Sequence, residues 1–168
     1  MKEYFSSEEK REELRKLLYE WKGTPHRHLV AIKGKGADCT LFCWEILKEI
    51  GAMKDLRVDN IPMKEGYINY PQDRAVHNKD EILLQVLESV PILKTIFKGK
   101  VGSFVGVPKD GDVCCYQFGK STAHMGIYFE GRVWQSLTNT EVYPEPFGTP
   151  KFKKRLSAIF RLVEVTDE

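Results

Sequence analysis

Among the four cysteines, Cys39 occupies the position best suited to a nucleophile. It directly follows Asp38, a good N-cap residue, so its thiol belongs at a helix start, where unpaired backbone N–H groups and the helix dipole favour an anion. A thiol there is expected to ionise more readily than the ~8.5 of free cysteine, and the thiolate is the reactive form. Cys39, Cys43, Ile46 and Ile50 recur at helical spacing, which puts Cys39 at the solvent end of a face that packs inward. Cys43, one turn deeper, reads as core. Cys114 and Cys115 are adjacent in an apolar run and would point to opposite faces of a strand. None of these spacings suggests a disulfide framework, so four free thiols are expected. A buried structural role is the commoner fate of a cysteine, and a nucleophile needs a base beside it.

His124 is the candidate base, because it stands at the beginning of a strand and next to a turn. With Glu130-Gly131 as a two-residue hairpin loop, Phe129 faces Arg132, Gly126 faces Gln135 and His124 faces Leu137. Alternation then places His124, Gly126 and Tyr128 on one face with Gln135 and Leu137. Gln135, diagonal to His124, can orient the imidazole, and Gly126 would leave room for the cysteine helix. Asn139 has the same parity and is the alternative orienter. His26 and His28 are spaced like metal ligands but lack a clear third partner, so no metal is expected.

The elements that must position these residues can be read from periodicity. Ser6 with Glu9 forms a capping box, and Leu14, Leu17, Leu18 and Trp21 carry a helix to Gly23. A polar loop through His26, Arg27 and His28 leads to Lys33-Gly34-Lys35-Gly36, and a second helix runs from Asp38 to Gly51. Residues 53–77 lack periodicity; Tyr67, Tyr70, Pro71 and His77 there form either a wall of the cleft or a cover for a sheet edge. A third helix begins near Asn78, with Glu81 completing a capping box, and Pro91 kinks or restarts it towards Phe97. Strands follow at 104–107, 113–118, 124–129, 132–137, 141–143 and 156–165, separated by turn residues. Helices first and a mostly antiparallel sheet of five or six strands second make a single α+β domain over 1–168.

The 168 residues carry 26 Lys and Arg against 24 Asp and Glu, a formal charge of +2, with 42% hydrophobic residues. That composition fits a globular domain with a real core, and so even a balance disfavours nucleic acid as a partner. No apolar run is long enough for a membrane span. The polar start from Met1 to Glu9 does not resemble a secretory signal, so synthesis in the cytoplasm is expected.

The ordered motifs Asp38-Cys39-Thr40-Leu41-Phe42, Gly111-Asp112-Val113, Ala123-His124-Met125-Gly126-Ile127-Tyr128 and Gly131-Arg132-Val133-Trp134-Gln135 resemble those of the NlpC-type cell-wall cysteine endopeptidases. Trp21-Lys22-Gly23-Thr24-Pro25 with Arg27, and Lys153-Lys154-Arg155-Leu156 before Phe160-Arg161, are similar to the branch encoded by phages and prophages. The resemblance runs from Trp21 to Arg161, with an atypical segment at about 53–108. It implies a papain-like fold, no cofactor, and hydrolysis of peptidoglycan stem peptides, typically between D-glutamate and a diamino acid. By motif position Cys39 would be nucleophile, His124 base and Gln135 the third polar residue, where the family more often has His. His26 stands where the family usually has a site-contacting Tyr, and with Asp38 it is the expected substrate-side contact. Release to the cell wall or association with phage tail components would follow. A related thiol amidase or acyltransferase, and a non-catalytic phage structural or assembly module, are the alternatives.

Overall fold

Ser7, in extended backbone, accepts the Lys10 N–H and opens helix α1, Glu8–Trp21. This is a computed structural model, and it describes residues 2–52 and 81–164. The cap falls one residue after the expected Ser6 because Tyr4–Ser6 turns as a short 3-10 segment that buries Phe5. The helix buries Leu14, Leu17, Leu18 and Trp21, as the periodicity indicates. The polar loop that follows is less irregular than its sequence suggests: β1, Ala31–Ile32, and β2, Gly36–Ala37, pair as a small antiparallel ribbon. Asp38 then caps α2, Cys39–Glu49, and Gly51 follows with φ +86°, the left-handed stop expected there.

The expected irregular stretch 53–77, with its aromatic residues, and the helix start at Asn78 lie outside the described residues. Helix α3 is Ile82–Ser89, with Glu81 at its N-cap but making no side-chain cap. The Glu81 carboxylate instead accepts the Thr122 N–H at 3.1 Å, tying α3 to the sheet. After Pro91 the chain does not restart a helix. Leu93–Lys98 is strand β3, the edge strand, paired antiparallel with a strand more than sixty residues later. Residues 104–107 are not a strand, and Val105 and Val107 are exposed there.

The remaining elements are β4 (Val113–Gln117), β5 (Thr122–Phe129), β6 (Arg132–Ser136), β7 (Val142–Pro146), the short α4 (Pro150–Lys153) and β8 (Leu156–Leu162). The six-stranded sheet has the order β3-β8-β4-β5-β6-β7, with every neighbouring pair antiparallel. The fold is therefore α+β, helices against a mainly antiparallel sheet, as the order of elements predicts. One face of the sheet, including Cys115, Met125, Ile127, Phe129, Trp134 and Phe160, packs on α1, α2 and α3. The other face gathers Cys114, Tyr116, Tyr128, Val133 and Ile159 under Phe147 and Phe152. Cys114 and Cys115 thus do point to opposite faces. No helix among the described residues is long and apolar enough to cross a membrane.

The β5–β6 hairpin has the expected register: Phe129 pairs with Arg132, Tyr128 with Val133 and Ile127 with Trp134. Glu130 (φ +47°) and Gly131 (φ +81°) form its loop, the left-handed pair that suits a two-residue hairpin. Gly126 is needed for a different reason from the one its sequence context suggests. The helices lie on the Met125 and Ile127 side, so the space at Gly126 is claimed by β6. A Cβ there would lie 2.6 Å from Val133 Cγ1 and 2.8 Å from the Trp134 carbonyl oxygen. Because one of those atoms is backbone, relief requires the strands to part. Gly126→Ala should lower stability by about 1–3 kcal/mol in urea denaturation; a midpoint equal to that of the parent protein would contradict this packing.

Candidate active site

The site is assembled from three places: the start of α2, the beginning of β5 and the end of β6. At the first, the Asp38 carboxylate is 2% exposed and fully engaged. Its Oδ1 accepts from Thr40 N at 3.0 Å, Thr40 Oγ1 at 2.9 Å and Leu41 N at 3.3 Å, while Oδ2 accepts from Leu29 N at 2.9 Å. His28 Nδ1 lies 3.3 Å from the same Oδ2. A substrate contact through this carboxylate would have to displace one of these partners. Asp38 is placed to hold the helix start and, through it, Cys39.

Cys39 is half-buried, and its thiol donates to the Ala123 carbonyl oxygen at 3.7 Å. That oxygen is available because β5 bulges beside the site. Tyr116 pairs with His124 and Gln117 with Thr122, which leaves Ala123 as the extra residue. A bulge of this kind releases a carbonyl from the ladder and re-aims the neighbouring side chain. The expectation that the thiol ionises easily is overturned. Burial first, and then the adjacent Asp38 charge, push its pKa well above the ordinary thiol value. The backbone N–H groups of Met125, Thr40 and Cys39 face the sulfur and act in the opposite direction, but they are outweighed. The reason is tertiary: a helix start favours an anion only where water or positive charge is also present.

His124 is 7% exposed and lies tilted against the ring of Tyr116 and edge-on to that of Phe118, at centroid distances of 5.8 and 5.6 Å. Its Nε2 donates to Gln135 Oε1 at 2.8 Å. That bond fixes the tautomer and leaves the Nδ1 lone pair as the basic position. Desolvation pushes the His124 pKa down to about 4, against a smaller upward effect of the Gln135 bond. The imidazole is therefore neutral near pH 7. The thiol of Cys39 bonds to the peptide just before His124, and the two side chains are not hydrogen-bonded to each other.

Gln135, 1% exposed, directly faces Tyr143 across β6 and β7. Asn139, the alternative orienter, sits with φ +64° in the exposed turn beyond β6 and does not bond His124. His26 pairs beside Ala37 and its Nδ1 lies 2.9 Å from Ser136 Oγ, so it flanks the start of α2. Its charge acts on His124, and burial lowers its own pKa. Sequence reasoning missed Ser136 and the Ala123 carbonyl. Ser136 could have been found by parity, since it follows Gln135 and must face the opposite side of β6. The bulge has no local signal. Among the described residues, no three His, Cys, Asp or Glu side chains are placed to hold a metal ion. All four cysteines are free thiols, with Cys43, Cys114 and Cys115 fully buried. No protein-family model matches the chain, and no curated protein is similar enough to count as a relative.

The buried imidazole makes stability depend on pH in a definite direction. Between about 4, its folded pKa, and 6.5, its ordinary value, the unfolded chain binds a proton that the folded chain does not. Stability is therefore full above 6.5 and falls as pH decreases towards 4, by roughly 3 kcal/mol for His124. His26, also lowered, adds to the same trend. Urea denaturation from pH 7.5 to 4 should show this loss, and His124→Asn should flatten part of it; a parent profile flat across that window would contradict a buried neutral His124.

Proposed function

We propose that the protein is a cysteine hydrolase acting on peptide bonds, with Cys39 as nucleophile, His124 as base and Gln135 as the orienting residue. The observation that carries this reading is the 2.8 Å bond from His124 Nε2 to Gln135 Oε1, made beside a thiol at the start of α2. An imidazole with one nitrogen pinned and the other kept free is the arrangement general-base chemistry requires. Nucleophile, base and orienter lie on three different elements, so their meeting is not a consequence of local sequence.

The resting pair is thiol and neutral imidazole, so proton transfer accompanies attack rather than preceding it. Cys39 Sγ leaves the Ala123 carbonyl and turns towards the substrate carbonyl carbon as His124 Nδ1 takes its proton. The sulfur–carbon bond forms, and the carbonyl electrons move to oxygen. The Thr40 and Leu41 N–H groups are already held by Asp38, whereas the Cys39 N–H faces only its own sulfur and is freed when the thiol turns. That N–H is the natural donor for the developing oxyanion. Collapse expels the amine, which takes the proton from His124, and water then cleaves the thioester by the same route in reverse.

The motif resemblance to NlpC-type endopeptidases supports peptidoglycan stem peptides as substrate, with the bond between D-glutamate and a diamino acid as first choice. A papain-like assignment of the fold rests on the same resemblance. It also supports a role at the bacterial cell wall, in the setting of a phage or prophage. Digestion of purified peptidoglycan, with mass analysis of the products, tests substrate and bond together. Cys39→Ala should abolish cleavage while leaving the circular dichroism spectrum unchanged. Gln135→Ala should lower kcat about 10- to 100-fold with a smaller change in KM, as the loss of an orienting group. Full turnover by the Cys39 variant would overturn the nucleophile, and intact peptidoglycan after treatment with the parent protein would overturn the substrate.

A further inference from the structure

Ser136 carries one hydroxyl proton, and its Oγ has two close partners. One is the Ala37 carbonyl oxygen at 2.6 Å, which can only accept. The hydroxyl proton is thereby committed, so at the second partner, His26 Nδ1 at 2.9 Å, Ser136 Oγ must itself accept. His26 Nδ1 therefore carries a hydrogen. Because burial lowers the pKa of this half-buried ring, the imidazole is neutral near pH 7 and its second nitrogen, Nε2, holds a lone pair. No described group donates to that nitrogen.

The backbone that carries the ring is held on both sides. The His26 main-chain N–H donates to the Thr140 carbonyl at 2.9 Å, and the chain on either side of it pairs with Ala37 through Arg27 N to Ala37 O and Ala37 N to Pro25 O. Ala37 precedes Asp38 and Cys39, and Ser136 follows Gln135. The His26–Ser136–Ala37 relay thus joins the strand that orients the base to the segment that presents the nucleophile. The groups that act on His26 are Asp38 and the Ser136 backbone, which favour its protonation, and His28, which opposes it.

We propose that His26 is a specificity-determining residue whose Nε2 accepts a hydrogen bond from an N–H group of the peptide substrate, an amide or an ammonium, and that Ser136 enforces this by fixing the tautomer. A substrate carbonyl or carboxylate oxygen is disfavoured there, since it would meet a lone pair. This rests on the hydrolase reading for its consequence in catalysis, but the tautomer itself is independent of any activity.

Two measurements test it separately. Long-range proton–nitrogen NMR of the nitrogen-15-labelled protein at pH 7.5 should show His26 Nδ1 protonated and Nε2 bare, and Ser136→Ala should mix the two tautomers. A protonated Nε2 in the parent protein would overturn the assignment, whatever the enzyme does. With purified peptidoglycan fragments as substrate, His26→Phe should raise KM about tenfold or more with kcat within a few-fold. His26→Gln, which retains an acceptor, should recover much of that loss. Equal KM for all three proteins would overturn the substrate contact, whereas absence of turnover in the parent would count against the hydrolase reading and leave the tautomer result standing.

Discussion

The carboxylate of Asp38 is the contact on which the site depends. Buried and bonded to the N–H groups of Thr40, Leu41 and Leu29, it joins the first turn of α2 to the loop and ribbon before it. An unpaired carboxylate this deep would cost several kcal/mol, so its partners hold the surrounding backbone in one arrangement. That arrangement delivers Cys39 to β5. The same charge has a chemical consequence, because an anion next to a thiol opposes a second anion. The cap that positions Cys39 also adds to the effect of burial in opposing its ionisation.

The second determinant is the extra residue in β5. His124 faces the sheet surface lined by Tyr116 and Tyr128, whereas α2 packs on the opposite surface through Met125 and Ile127. In a regular strand those groups would be separated by the sheet. The bulge at Ala123 lies at the strand's beginning, where the sheet ends, and turns a carbonyl towards the thiol. The aromatic surroundings of His124 make the charged imidazolium costly, so thiol and imidazole rest uncharged together. Catalysis on this plan needs the substrate to complete the site: only an acyl carbon receiving the sulfur makes proton transfer to His124 favourable.

What could be read from the sequence was what local geometry decides. Alternation placed His124 and Gln135 on one face, the Glu130-Gly131 loop set the register, and Asp38 and Gly51 bounded α2. Cys43 and Cys115 entered the core as their apolar neighbours require. The errors arose where distant partners intervene. Ser6 lost its capping role to Ser7 because Phe5 is drawn into the core. Residues 93–98 became a strand because β8 offers an edge to pair with, while 104–107, despite Val105 and Val107, found no such partner. The ionisation of Cys39 was misjudged for the same reason, since helix position is visible in sequence and burial is not.

The central claim is that Cys39 is a protonated thiol in the resting protein, positioned by Asp38 and activated only when the substrate is bound. The pH dependence of Cys39 alkylation by iodoacetamide, followed by mass spectrometry of its tryptic peptide, tests this directly, because only the thiolate reacts appreciably. The account predicts slow labelling at neutral pH, a rate that climbs with an inflection above the ordinary thiol range, and a lower inflection in Asp38→Asn. Rapid labelling with a plateau already reached below pH 7 would reveal a preformed thiolate–imidazolium pair and contradict it.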